Sequence, residues 1–189
     1  MTPSPRERLI TSTIALVREH GVAGTGITEL LDHSTVARRT VYLHFPGGKE
    51  ELVQESTRVA GRVMGAAISR FTTSEDPEAS LSGFIEWWKD ALVAGEFRGG
   101  CPVVAAALAG SAAPAATVAA AEAFHDWEKL ISDQLCRSGI DTGTARSLAS
   151  CVVCAVEGAV ILAVASRSTC PLDDVGRHLG ELVRGHLPD

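Results

Sequence analysis

Between Thr25 and Leu52 the chain reads TGITELLDHSTVARRTVYLHFPGGKEEL, two short apolar-faced segments parted by His33-Ser34-Thr35 and closed by Pro46-Gly47-Gly48. Neither segment is long enough to stand as a helix in water without tertiary support. They must therefore pack on each other and on a further helix, which is the arrangement of a helix-turn-helix. Thr25 is placed to cap the first segment, where its hydroxyl can accept an orphan amide hydrogen. Ile27, Leu30 and Leu31 then recur at helical spacing. The second segment predicts a helix over 37–45, with Ala37, Val41 and Phe45 on one face that has to be buried. Pro46 ends it, because proline disfavours helix in its predecessor and cannot continue one.

The opposite face of that second helix carries the chemistry. Arg39, Thr40, Tyr42 and Leu43 point away from the core face, with Arg38 and His44 on the flanks. Arginine presents a fixed fork of donors to guanine edges and phosphates. Hydroxyls of Thr40 and Tyr42 bond phosphate oxygens, and Leu43 suits a thymine methyl. Lys49, at the start of the next helix, combines an ammonium with free amides that attract a backbone phosphate. The bland alternative is a solvated basic helix. The turn spacing, the run Tyr42-Leu43-His44-Phe45 and the glycine-lysine ending together favour a duplex groove.

Charge supports a local site. Residues 1–50 hold six Lys/Arg and five Asp/Glu, a net of +1, against eleven and eighteen in the remainder, a net of −7. The acidic bulk should repel DNA and help orient the molecule. Met1 to Arg8 lacks the apolar segment of a secretory leader. The apolar run Cys151 to Ala165 contains Glu157 and is too short to span a bilayer. A cytoplasmic protein without membrane contact is expected, and five cysteines without framework spacing fit reduced thiols.

Further along, helices are expected over 5–20, ended by Gly21, over 48–71 and over 77–94. A short one opens at Cys101-Pro102, with proline in a favoured first-turn position. Others follow over 114–136, 142–167 and 171–187. The helix over 142–167 is apolar almost all round, so it should be buried. Together with the last helix it suggests a four-helix bundle with a symmetry mate. The dull alternative is packing within one chain.

Cys151-x-x-Cys154 has redox or zinc spacing, but no second pair accompanies it and tetrahedral zinc wants four ligands. These two are expected to be small core residues. Glu157 is costly in an apolar helix unless paired or hydrogen-bonded. It could meet a ligand, the other subunit, or Arg146, Arg167 or Lys129. Trp88, Cys101, Val104 and Leu108, with Phe124 and Trp127, are candidates for lining an effector cavity, although aromatic stripes are more often plain core. No nucleophile elbow, phosphate loop or paired metal motif occurs, so neither an enzyme nor a cofactor is expected.

Arg8 through Leu52 resembles the DNA-binding domain of the TetR family of bacterial repressors. The resemblance is carried by Gly21, Thr25, the apolar helix Ile27 to Leu31, Val36, Thr40-Val41-Tyr42, His44-Phe45 and Lys49-Glu50-Glu51-Leu52. The run HFPGGKEEL, with Gly100-Cys101-Pro102-Val103, resembles the LmrA/YxaF-like branch. Thr35 departs from the family's turn glycine, at a position that often needs positive φ. Gly26 departs from a second hydroxyl residue. The resemblance implies an all-α protein, with an amino-terminal three-helix helix-turn-helix domain over 1–50 and a helical effector-binding and dimerisation domain over 51–189. It further implies a homodimer that binds a roughly palindromic DNA operator and is released by a small apolar or aromatic effector. DNA contacts are expected from Thr25, Arg38, Arg39, Thr40, Tyr42, His44 and Lys49. The effector contacts would come from the cavity candidates and Glu157. The competing reading is a helical small-molecule-binding protein with weakened DNA binding.

Overall fold

A computed structural model describes residues 3–188. Among them there are helices and no strands. They are α1 (Pro5–Gly24), α2 (Ile27–Ser34), α3 (Arg38–His44), α4 (Gly48–Phe71) and α5 (Pro77–Ala94), then α6 (Pro102–Ala107), α7 (Pro114–Arg137), α8 (Thr142–Ser166) and α9 (Cys170–Arg184). A 3₁₀ turn at Gly110–Ala112 precedes α7. By compactness the chain groups into one unit up to Arg62 with 99–123, and a second unit of 63–98 with the residues from Phe124 onward. Both α4 and α7 therefore supply residues to each unit.

In the first unit, α1 starts at a reciprocal cap. Ser4 Oγ accepts from the Glu7 amide, and the Ser4 amide donates to Glu7 Oε2, which satisfies two orphan donors at once. The Ser4 amide holds the Glu7 carboxyl below its ordinary value. The helix breaks at Gly21, whose φ of 70° suits a residue without Cβ, and a last turn follows. Leu9, Ile10 and Leu16 of α1 close a core with Leu30, Val36, Val41, Phe45 and Leu52. Thr13 and Val17 are also buried, while His20 is exposed and pairs with Glu29 at 3.1 Å. The start of α6 is clasped to α1 by two bonds: Arg18 Nε donates to the Gly100 carbonyl at 2.9 Å, and the Gly100 amide donates to the Arg18 carbonyl at 3.3 Å.

In the second unit, α5, α8 and α9 pack on one another. Asp76 and Asp141 cap α5 and α8, each accepting two first-turn amides. Gln134 of α7 pins the α4–α5 turn, donating to the Ser74 carbonyl and to Ser80 Oγ. Between α5 and α9, Lys89 pairs with Asp173 and Arg184 with Glu78. The Arg184 hydrogen bond lowers the Glu78 carboxyl from its ordinary value. A lowered acid contributes stability above its unfolded value and loses it as pH falls through the folded one. Leu172, Leu179 and Val183 form the buried stripe of α9, while Leu182 is partly exposed.

Several expectations fail here. Helix α8 runs 25 residues, ten more than the apolar run 151–165 within it, and by length and composition alone it is long and apolar enough to cross a membrane, a test that the core helix of a soluble protein also passes. It is also not buried all round. Cys151 and Cys154, expected in the core, are exposed, on the same side as Ile161 and Leu162. An apolar residue is covered only where a neighbouring helix reaches it, and among the described residues none covers this side. Among the described residues no His, Cys, Asp or Glu cluster could hold a metal.

Candidate nucleic-acid interface and effector cavity

The turn between α2 and α3 is built around Thr35. Its φ of 52° and ψ of 40° are left-handed. Its amide donates to the Asp32 carbonyl, and the Val36 amide donates to that of Leu31, both at 3.3 Å. This is the pair of bonds of a Schellman ending, completed by burial of Val36. The sequence expectation of positive φ is met, and a β-branched residue adopts it at a cost of about 1–2 kcal/mol. Thr35→Gly should therefore raise stability by about 1 kcal/mol, once glycine's extra unfolded-state freedom is subtracted. Thermal unfolding should report an increase of about 2–4 °C. An unchanged or lower midpoint would show that the turn is not strained.

Helix α3 then presents its polar face. Val41 and Phe45 are buried, whereas Ala37 is exposed. Ala37 was expected in the core, but it lies one residue before the helix as its N-cap, with extended φ and ψ, and so leaves the buried face. Arg38 and Arg39 are exposed and form no ion pair among the described residues. Tyr42 and Leu43 are 51% and 74% exposed. Thr40 and His44 are half-buried. A Cβ added at Gly48 would sit 3.3 Å from the Tyr42 ring. Glycine there both permits φ of 69° and lets the ring lie against the start of α4.

Two expected contacts sit differently. Thr25 does not cap α2, because Gly26 occupies that position with no side-chain bond. Instead its hydroxyl donates to the Gly21 carbonyl at 2.8 Å, and the residue is fully buried. Thr25 thus secures the end of α1. Lys49 Nζ donates to the Val22 carbonyl at 3.1 Å, using one of its three protons to hold the same turn. Thr28, which sequence reasoning passed over, is exposed in the first turn of α2. It lies beside amides that carry no side-chain cap. Its position two residues past an uncapped helix start was the available signal.

The second unit contains two small adjoining apolar cavities, of about 40 and about 10 Å³, which share Ile68, Phe84, Ile131 and Val152. Trp127 and Glu157 line the smaller, and Ser80 and Gln134 the larger. Trp88 is buried in the core beside Trp87, and Phe124 meets Trp127 edge-on at 5.2 Å. Cys101, Val104 and Leu108 belong to the first unit. There Cys101 is buried and Leu108 is largely exposed. Of the candidates, the structure thus brings Trp127 and Glu157 to this cavity. Sequence reasoning missed Ile68, Phe84, Ile131 and Gln134.

Residues 9–56 match the family described as bacterial regulatory proteins, tetR family. Residues 77–178 match the LmrA/YxaF-like transcriptional regulator carboxy-terminal domain. The chain is 34% identical to the HTH-type transcriptional regulator Rv0196 of Mycobacterium tuberculosis, covering 98% of this chain and 97% of that one. It is 23% identical to the HTH-type transcriptional regulator LmrA of Bacillus subtilis, over 95% and 96% of the two chains. In fold it is similar to a TetR transcriptional regulator from Legionella pneumophila, with a TM-score of 0.85 and 18% identity, over 96% and 98% of the chains.

Proposed function

The chain belongs to the TetR family of bacterial regulatory proteins, with an LmrA/YxaF-like carboxy-terminal domain, and from that premise we propose that it is a homodimeric repressor released from its operator by a small apolar or aromatic effector. The family is one of DNA-binding transcriptional regulators and is not enzymatic. The observation that carries the proposal is α3, whose exposed Arg38, Arg39, Tyr42 and Leu43 stand over a buried Val41 and Phe45. In this reading residues 1–50 bind DNA, and 51–189 bind the effector and the partner. Arg39 and Leu43 read base edges; Arg38, Thr40, Tyr42 and His44 hold phosphates; Lys49 reinforces the turn and adds positive charge. The protein acts in the cytoplasm, where its operator lies.

Two readers in one dimer require half-sites about 34–36 Å apart, or a multiple of that. The effector occupies the second unit's cavity and favours a conformer in which α4 tilts, so that the readers lose the groove spacing. A coupling of about 1–3 kcal/mol corresponds to roughly 5- to 150-fold weaker operator binding. The competing reading, a helical small-molecule-binding protein with weakened DNA binding, drew its support from Thr35 and Gly26. The Thr35 turn keeps both of its bonds, and the first-turn amides of α2 still suit a phosphate.

A gel shift against the upstream region of the protein's own gene tests the proposal. Specific binding that weakens steeply with salt is expected. Absence of any specific complex at low salt favours the competing reading. Arg39→Ala should lose about 1–3 kcal/mol of discrimination against single-base changes at one operator position. An even loss across sequences would assign Arg39 to phosphate instead.

A further inference from the structure

We infer that residues 95–100, between α5 and α6, form a strained hinge: their fastening to α1 holds a costly backbone conformation, and its relaxation changes the grip on the operator. This rests on the reading of the chain as an effector-released repressor. The chain passes between the two units at three places, inside α4, inside α7 and between Arg98 and Gly99. The first two are continuous helix, and the third is not. Hinges are loop or element-terminal residues that absorb large changes of φ and ψ.

Two successive non-glycine residues in this segment, Glu96 and Phe97, have left-handed φ of 51° and 54°. The Glu96 amide donates to the Val93 carbonyl at 3.0 Å, and the Phe97 amide to that of Leu92 at 2.9 Å. These are the two bonds of a Schellman ending, which usually places glycine where Glu96 stands and requires nothing left-handed of Phe97. A left-handed side-chain-bearing residue is disfavoured by roughly 5- to 30-fold in population. Such strain persists only where the surroundings over-determine it. Here the far end of the segment is tied down. Arg18 Nε donates to the Gly100 carbonyl, and the Gly100 amide donates to the Arg18 carbonyl. A Cβ added at Gly99 would lie 3.0 Å from that of Arg18, so glycine seats the chain directly on α1. In turn α1 gives Leu9, Ile10 and Leu16 to the core beneath α3. A change in the second unit that slackens the segment lets Phe97 return to an ordinary φ and frees Gly100 from Arg18, which loosens the helix that braces the reader.

The test works through Glu96, whose exposed side chain meets only the exposed Arg98 among its ion pairs, so that a substitution acts on the backbone. Glu96→Gly removes the cost of the left-handed φ, and Glu96→Val raises it, because a β-branched residue is an outlier there. Amide hydrogen exchange is read by NMR on the full chain, relative to the Trp88 amide inside α5. Protection of both the Phe97 and the Gly100 amides should rise about fivefold in Glu96→Gly and fall in Glu96→Val. Operator affinity, by fluorescence anisotropy, should move in opposite directions in the two variants. Should Glu96→Val fail to fold, Arg18→Ala reads the element from its other end and should lower protection at Phe97 as well as at Gly100. A response confined to the Phe97 amide would make this an ordinary helix ending and overturn the inference, as would equal operator affinity in the two variants of a protein that binds. If the unaltered protein binds no operator, the repressor reading fails, and the exchange at Gly100 alone decides the hinge.

Discussion

Phe45→Ala is expected to cost about 3–5 kcal/mol of stability and to abolish specific operator binding. Phe45 is 1% exposed and packs with Leu9, Leu30, Val41 and Leu52. The Arg6 guanidinium carbon lies 5.3 Å from its ring centroid, which adds a cation–π attraction to the lost burial. The consequence is local as well as global. Helices α2 and α3 have eight and seven residues, too few to persist without their shared core. Removing the ring deprives α3 of its anchor at the carboxy-terminal end, just where Tyr42 and Leu43 are displayed. Urea unfolding followed by circular dichroism gives the stability change, and a gel shift gives the binding change. Leu43→Ala is the control on the opposite face. At 74% exposure it should alter stability by no more than about 0.5 kcal/mol. If Phe45→Ala costs less than Leu43→Ala, the assignment of faces on α3 is wrong.

Much of the helical frame was legible because the chain announces its helix ends. Pro46-Gly47-Gly48 marks the start of α4. Asp76-Pro77 and Asp141 mark those of α5 and α8, each by a cap or a fixed φ that acts within one turn. The same locality explains the small errors. Thr25 and Gly26 are both plausible cap positions, and a shift of one residue turned Thr25 from a surface hydroxyl into a buried one. Ala37 was misplaced for the same reason. The cavity was less legible. Its walls come from α4, α5, α7, α8 and α9, and a void is what remains when five separate helices pack imperfectly. No periodicity within one of them encodes it. Cys151 and Cys154 failed for a further reason: an apolar sequence specifies that a surface should be covered, and not which molecule covers it.

That uncovered surface leads to the other large effect expected. Leu162→Glu should convert the protein to a monomer and weaken operator binding at least about a hundredfold. Cys151, Cys154, Ile161 and Leu162 recur along α8 at intervals that keep them on one side, all exposed. Ile161 and Leu162 are 51% and 59% exposed. Midway between them and the cysteines, a Cβ added at Gly158 would meet nothing within 4 Å. A surface with small residues at its centre, large aliphatic ones toward one end and no charge between them suits close approach of a second α8 about a two-fold axis. Each large aliphatic covered there contributes about 1.5–3 kcal/mol. In a two-fold contact a single substitution is made twice, so two carboxylates would be buried without partners, each costing several kcal/mol. A monomer engages one half-site and forfeits the effective concentration that the second reader gains from its tether, which exceeds the bare affinity by about 10²–10⁴. Sedimentation equilibrium gives the assembly state, and anisotropy titration with full and half operators gives the affinities. The half-operator should bind the variant and the unaltered protein equally, because α3 is untouched. A Leu162→Glu protein that remains dimeric would place the subunit contact elsewhere, and one that is monomeric yet binds the full operator undiminished would remove the requirement for two readers.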